Sequence, residues 1–396
     1  MPKINIKKWF QKGTIIRIIL IIAVQSFLSL LFDVFGLGAG SIGSFTFLSY
    51  ASTFPATSAF IILFYPPILS SDGGIGVLVS RLGTALNIGS IKPQFFKNNE
   101  YFYTIISAVL TLGSFNGLLI GLVSYITNLI SLGQQRIINP VPFITIPILT
   151  LTLSSFFSTQ IASFFSFFLY KKGLNPDVWV YPTMSTINNI FSTLLYSALI
   201  AILQPVNWFN SSGEFASLQP LTYFILLPFF AYLGFIVFLL IKNIKKKQFR
   251  SILKEAIPIQ SITLTINSLT GGILSKADVA LRNLRGLFLI YPALIDTLGD
   301  ECTIIANTTS TNLNLGLIEP KLTAIKDKDL WTHIIGVWLA GFGLHLIYGI
   351  FGSIIVGDFG NIGIVLGLAI LINLLSFLVV EFLVYFLLIF SYKLGL

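Results

Sequence analysis

The sequence predicts an all-α polytopic membrane protein of about ten transmembrane helices, and three observations carry that prediction. Hydrophobic residues make up 55% of the chain and charged residues 10%, with a mean hydropathy of +0.88. That is too apolar for a soluble domain of this length. Apolar runs of the roughly 20 residues that a bilayer demands recur along most of the chain. On the resulting topology, twenty of the 24 Lys and Arg fall on the side of the amino terminus, and only Arg136, Lys276, Arg282 and Arg285 on the other. The positive-inside rule then puts the amino terminus in the cytoplasm and predicts a multi-pass protein of the cell membrane.

The same charges explain the net +9 without a nucleic-acid partner. The lysines sit beside apolar spans, as in Lys242, Lys245, Lys246 and Lys247, where they read as cytoplasmic loop charges whose neighbour is the lipid bilayer. A single cysteine, Cys302, rules out an intramolecular disulfide, and no Cys/His cluster offers a zinc or iron–sulfur site, so no cofactor is expected. His333 and His345 stand alone and read as packing or interfacial residues.

Taken in order, residues 1–13 are a short basic cytoplasmic segment, and the apolar run 14–35 is long enough to be a span rather than a signal peptide. Asp33, near its far end, reads as interfacial, with a place facing the path as the lesser alternative. A Gly/Ser-rich connection, 36–44, leads to a second apolar segment that passes through Pro66, Pro67 and the Asp72-Gly73-Gly74 sequence. That segment must be interrupted. Proline and paired glycines free backbone groups at membrane depth, which is tolerated only where the backbone is buried in protein or lines a cavity. Further spans are expected at 101–131, 140–170, 178–203, 221–241, 255–274, 287–315, 331–356 and 363–392.

The span at 287–315 carries polar groups through the bilayer. On a helix, Asp296, Asp300, Thr303, Asn307, Thr311 and Asn314 recur at spacings of three or four and share one face. Ionisable groups at that depth cost several kcal/mol unless they face protein or water, so they mark a path for an ion or polar solute. The stripe occurs twice. Aligning Asn87-Ile88-Gly89 with Asn314-Leu315-Gly316 sets Ser80 on Asn307, Thr84 on Thr311 and Gly76 on Thr303, with Asp72 the lone carboxylate above them. Such an internal repeat predicts two halves about a pseudo-twofold axis, with the path at their interface. The domain layout is then the basic amino terminus (1–13), a first repeat of five spans (14–204), a linker with an extra span and a basic cytoplasmic loop (205–254), and a second repeat of four spans (255–396). The extra crossing makes the repeats parallel.

Three motifs in order carry a family resemblance: Ser80-Arg81-Leu82-Gly83-Thr84-Ala85-Leu86-Asn87-Ile88-Gly89; then Gly173-Leu174-Asn175-Pro176-Asp177 with Ser185-Thr186-Ile187-Asn188-Asn189; then Pro292 followed by Gly299-Asp300-x-x-Thr303. They resemble the membrane domain of MgtE-type magnesium transporters, above all the tandem-repeat branch of eukaryotic solute carriers and archaeal relatives. The resemblance implies passage of divalent cations, chiefly magnesium, along a pore between the repeats, with Asn189 at a position where the family usually has an aspartate. Two departures follow from it. Asn189 offers an oxygen but no charge, and the second repeat lacks its fifth helix, which implies a truncated sequence, a homodimer or partner chain completing the pore, or an incomplete pore. The family's cytoplasmic magnesium-sensing domains have no counterpart here.

The residue types suit a hard, strongly hydrated cation, which needs few carboxylates and many groups that bond its water shell. The metal candidates are Asp300, Asp296, Asp72 and Asn189. Because a bound cation favours ionised carboxylates, transport is expected to fall as the medium acidifies. Blander roles stand beside these: Asp72 and Asp300 as helix N-caps, Glu301 as a first-turn charge, the Thr and Asn residues as interhelical glue, and Arg81 as a structural pairing residue. Glu381, in mid-span, is a candidate for a second cation- or proton-linked site. The competing functions are a proton-coupled carrier of another small solute, a transport-inactive or regulatory homologue, and last an intramembrane aspartyl protease, which lacks Gly-x-Gly-Asp here because Thr297 stands two before Gly299. No enzyme is expected.

Overall fold

The computed structural model describes residues 12–51, 55–131, 140–173, 176–203, 220–314, 318–321 and 328–394. Among them there are helices and turns and no strands. In chain order the α-helices are α1 (Lys12–Leu30), α2 (Gly36–Ala51), α3 (Pro55–Leu69), α4 (Gly73–Asn87), α5 (Glu100–Ser131), α6 (Val141–Lys171), α7 (Pro176–Leu203), α8 (Pro220–Asn243), α9 (Lys247–Lys276), the short α10 (Asp278–Asn283), α11 (Arg285–Asn314), α12 (Lys328–Ile355), α13 (Ile362–Leu375) and α14 (Glu381–Leu394). Six helical segments among the described residues are long and apolar enough to cross a membrane. The bent pair α1–α2 makes up to seven.

Several expectations change at this level. Of the ten spans, α9 and α11 are too polar to count among those six, α9 through Gln260, Asn267 and its many Ser and Thr and α11 through Asp296, Asp300 and Glu301. The first run does not extend to residue 35. It ends at Leu30, and a 3-10 turn over Leu31–Phe35 bends the chain by 44°. The Gly/Ser-rich connection after it is the helix α2. Helix is what lets a glycine- and serine-rich stretch satisfy its own backbone away from water.

The chain forms two compact units, one of Gly38–Asn283 and one of Met1–Leu37 with Leu284–Leu396. In the first, α5 packs along α6 through Gly113, Gly117 and Gly121, one small residue per turn. A Cβ at these positions would collide with Ser155, with the backbone at Ile148 and with the Phe143 carbonyl. This is the small-residue stripe by which membrane helices approach closely. The core of this unit joins Ile75, Leu78 and Val79 of α4, Ala108 and Leu112 of α5, Met184 of α7 and Phe249 and Ile252 of α9. In the second unit, α12 is central. It takes α1 against Gly336, α11 against Gly352 and α13 against Gly349, around Leu30, Leu289, Ile290, Leu344, Tyr348 and Val365.

These units differ from the repeat layout expected from the sequence. That layout put α9 with the second repeat, and it packs on α3 and α5. It put α1 with the first, and α1 packs on α12.

The expected break in the second apolar segment is present. Helix α3 ends at Leu69, a 3-10 turn covers Ser70–Asp72, and α4 begins at Gly73. Pro67 has no N–H to give the Leu63 carbonyl, so that oxygen is left over at membrane depth. Helix α9 closes on it at Gly271, where a Cβ would overlap the Leu63 oxygen. Nearby, Tyr196 Oη of α7 donates to the carbonyls of Phe60 (3.4 Å) and Ile61 (3.3 Å). The Ser70 and Ser71 hydroxyls donate to Pro66 O at 3.0 Å and Ile68 O at 2.6 Å. The broken span is therefore tended by its neighbours rather than left bare, as the cost of an unpaired backbone group in lipid requires.

Candidate ion-path residues

In the unit that contains α11, the carboxylates lie inside. Asp296, Asp300 and Glu301 are 4%, 3% and 0% exposed. Helix α11 runs unbroken from Arg285 to Asn314, so Asp300 is no N-cap and Glu301 no first-turn charge. Both are in mid-helix. Thr303 is partly exposed, and its hydroxyl donates to Gly299 O at 2.9 Å. Asn307, Thr311 and Asn314 continue along the same helix, but their side chains lie outside the described residues.

Asp33 does not sit at an interface. It is fully buried in the 3-10 turn after α1, which packs against α11. Thr297, on the same side of α11, has its hydroxyl 2.8 Å from Tyr348 Oη of α12. Glu301 lies flat on α12 at Gly341, where any Cβ would overlap its carboxylate. One turn on, His345 Nδ1–H donates to the Gly341 carbonyl at 2.8 Å and the ring packs near Tyr348, so this histidine is a buried packing residue, as expected.

Sequence reasoning favoured an interfacial Asp33 and a first-turn Glu301, and the structure buries both. Glu301 lies about 100° round the helix from Asp300, so a face count discards it. Only its contact with Gly341 places it inside. Asp33 is distant in sequence, and its one local signal is that a carboxylate stands just where an apolar run ends. Among the described residues no three or more His, Cys, Asp or Glu converge closely enough to hold one metal ion.

In the other unit the first-copy residues stand as follows. Asp72 ends the 3-10 turn immediately before α4, and its side chain lies outside the described residues, as does that of Asn87. Ser80 and Thr84 are exposed on α4, on the face opposite Leu78, Val79, Leu82 and Leu86. Asn189 is buried on α7. Its neighbour Asn188 is the centre of a network that the sequence did not reveal. Ser154 and Ser158 of α6 donate to Asn188 Oδ1 at 3.0 and 2.8 Å, and Ser192 Oγ donates to Asn188 O at 2.7 Å. This pins the rotation of α7 about its axis and with it the position of Asn189. Arg81 forms an ion pair with Glu255 of α9, a partner other than the carbonyl or the Asp72 region expected for it. Glu381 opens α14 directly after a π-helical turn, Ser376–Val380, and its side chain is outside the described residues.

Six apolar helices among the described residues, a broken and internally tended span, and buried carboxylates on α11 fit a multi-pass membrane protein. Comparison with known families agrees. Residues 65–199, from the end of α3 to most of α7, match the model of the MgtE family, described as a divalent cation transporter. No curated protein and no solved structure matches the chain. The matched stretch holds Asp72, Ser80, Thr84, Asn87 and Asn189 and ends before α11.

Proposed function

We propose that this protein passes a divalent cation, magnesium first among them, across the cell membrane by transport without covalent chemistry. The observation that carries the reading is the MgtE match over the stretch that holds the broken span, the polar face of α4 and Asn189. The buried carboxylates of α11 with Asp33 support it. A strongly hydrated cation needs few direct carboxylates, and the three of α11 lie buried on one helix. Asp296, Asp300 and Asp72 would concentrate the cation. Thr303, Asn307, Thr311, Asn314, Ser80, Thr84 and Asn87 would orient its waters, and Asn189 would offer a neutral oxygen. Glu381 would serve a second site. The parallel repeats, the cytoplasmic amino terminus and a second copy or partner chain that completes the pore belong to the same proposal.

The test is magnesium flux into proteoliposomes holding this chain, wild type against Asp300→Asn. Removing one charge from a site that concentrates a doubly charged ion is expected to lower flux at least about tenfold, the equivalent of ~1.4 kcal/mol. Equal flux in both would remove Asp300 from the path. Absence of divalent-cation flux from folded wild type would overturn the function.

A further inference from the structure

A cleft of about 580 Å3 lies on the flank of the Gly38–Asn283 unit, where α5, α6 and α8 meet. Its lining is graded along the helix axes. One end holds Glu100, Lys242 and Lys246, and the other holds Leu110, Phe156 and Phe235. From Glu100 to Leu110, α5 advances about 15 Å, which is half of the ~30 Å hydrocarbon core, or one leaflet. Beside the cleft, α8 turns Phe230, Phe238 and Ile241 outward, all more than half exposed, and in a membrane this surface meets acyl chains. An occupant that enters from there is an amphiphile.

The cationic end keeps a net positive charge, two lysines against Glu100. Lys246 Nζ pairs with Glu100 at 2.7 Å, while Lys242 Nζ sits 5.7 Å from the centre of the Phe238 ring. Lys245, Lys247 and Arg250 add charge on the following turn. Juxtamembrane lysines of this kind attract anionic headgroups, each adding about fivefold to affinity.

We infer that this cleft is a binding site for one anionic glycerophospholipid, with its phosphate held by Lys242 and Lys246 and an acyl chain lying along Phe235, Leu110 and Phe156. Glu100 competes with the phosphate for Lys246. The site is separate from the ion-path residues, and its occupancy does not depend on transport.

The experiment uses the purified full-length chain equilibrated with mixed micelles of phosphatidylglycerol and phosphatidylcholine in equal amounts, with bound lipid read by native mass spectrometry. Wild type is expected to retain phosphatidylglycerol over phosphatidylcholine by at least about fivefold. A Lys242→Ala/Lys246→Ala double variant is expected to bring the ratio near one, and Glu100→Gln to raise it above wild type. Lys172→Ala, a basic residue outside the cleft, is expected to leave it unchanged. The two variants move the ratio in opposite directions, so a general loss of fold cannot imitate the result. No preference in wild type, a preference that survives the double variant, equal displacement by soluble glycerophosphate, or a dimer that closes the cleft without lipid would each overturn the proposal.

Discussion

At the scale of single residues, the burial of Glu301 depends on what α12 leaves out. Gly341 supplies the space for the carboxylate, and the same glycine accepts the His345 ring N–H on its carbonyl. Gly341→Ala would push a methyl group into Glu301. It is therefore expected to cost about 1–3 kcal/mol, the range for overpacking a filled site. Gly299, a turn before Thr303 on α11, has open space where a Cβ would go. There the substitution adds helix propensity with no collision, and Gly299→Ala is expected to be neutral or to stabilise by up to about 1 kcal/mol. Thermal unfolding of the two variants in detergent checks the pair. Equal effects would mean that Glu301 has room to move away from α12. The contrast also shows why the spacing rule identified Asp300 and missed Glu301: the rule sees one helix, and Glu301 is placed by another.

At the scale of elements, the α3–α4 break is built as much by its neighbours as by its own prolines. Pro67 leaves the Leu63 carbonyl unpaired, and Gly271 lets the α9 backbone come against it. So close a backbone shields a carbonyl that would otherwise face lipid. Gly271→Leu would hold α9 off both that oxygen and the rest of α3. A loss of about 1–3 kcal/mol or more is expected, with helix content kept and tertiary packing weakened, as near- and far-ultraviolet circular dichroism would show together. An unchanged melting temperature would mean that α9 is not needed at the break. The position of the break was legible, because proline chemistry is local. Its closure was not, because residue 271 lies more than 200 residues away in sequence.

At the scale of the whole molecule, the compact units do not follow the repeat layout expected from the sequence. Helix α9 contributes Phe249, Ile252 and Leu253 to the core of α4, α5 and α7, and its Glu255 pairs with Arg81. A fragment of residues 38–283 is therefore expected to express as a helical, monodisperse species, whereas residues 38–246, which lack α9, are expected to aggregate. Size-exclusion chromatography of the two fragments checks it. Equal behaviour would mean that α9 is dispensable to that unit. Repeat alignment compares order along the chain, and helices of like sequence can be placed with either set of neighbours when the connections are long enough. Partition into units is therefore outside what a repeat can state.

By itself the sequence determined the membrane class, the helical content, the interruption after Pro66 and Pro67, and the MgtE resemblance over the first copy, where the family match falls. Hydropathy, proline and motif order are properties of neighbouring residues, and a bilayer leaves few ways to satisfy a backbone. Tertiary structure alone decided that Asp33 and Glu301 are buried as Asp296 and Asp300 are, that Asn188 anchors the helix of Asn189, and that α9 packs with α3 and α5. These are contacts between distant segments, and burial is set by whatever surface arrives opposite.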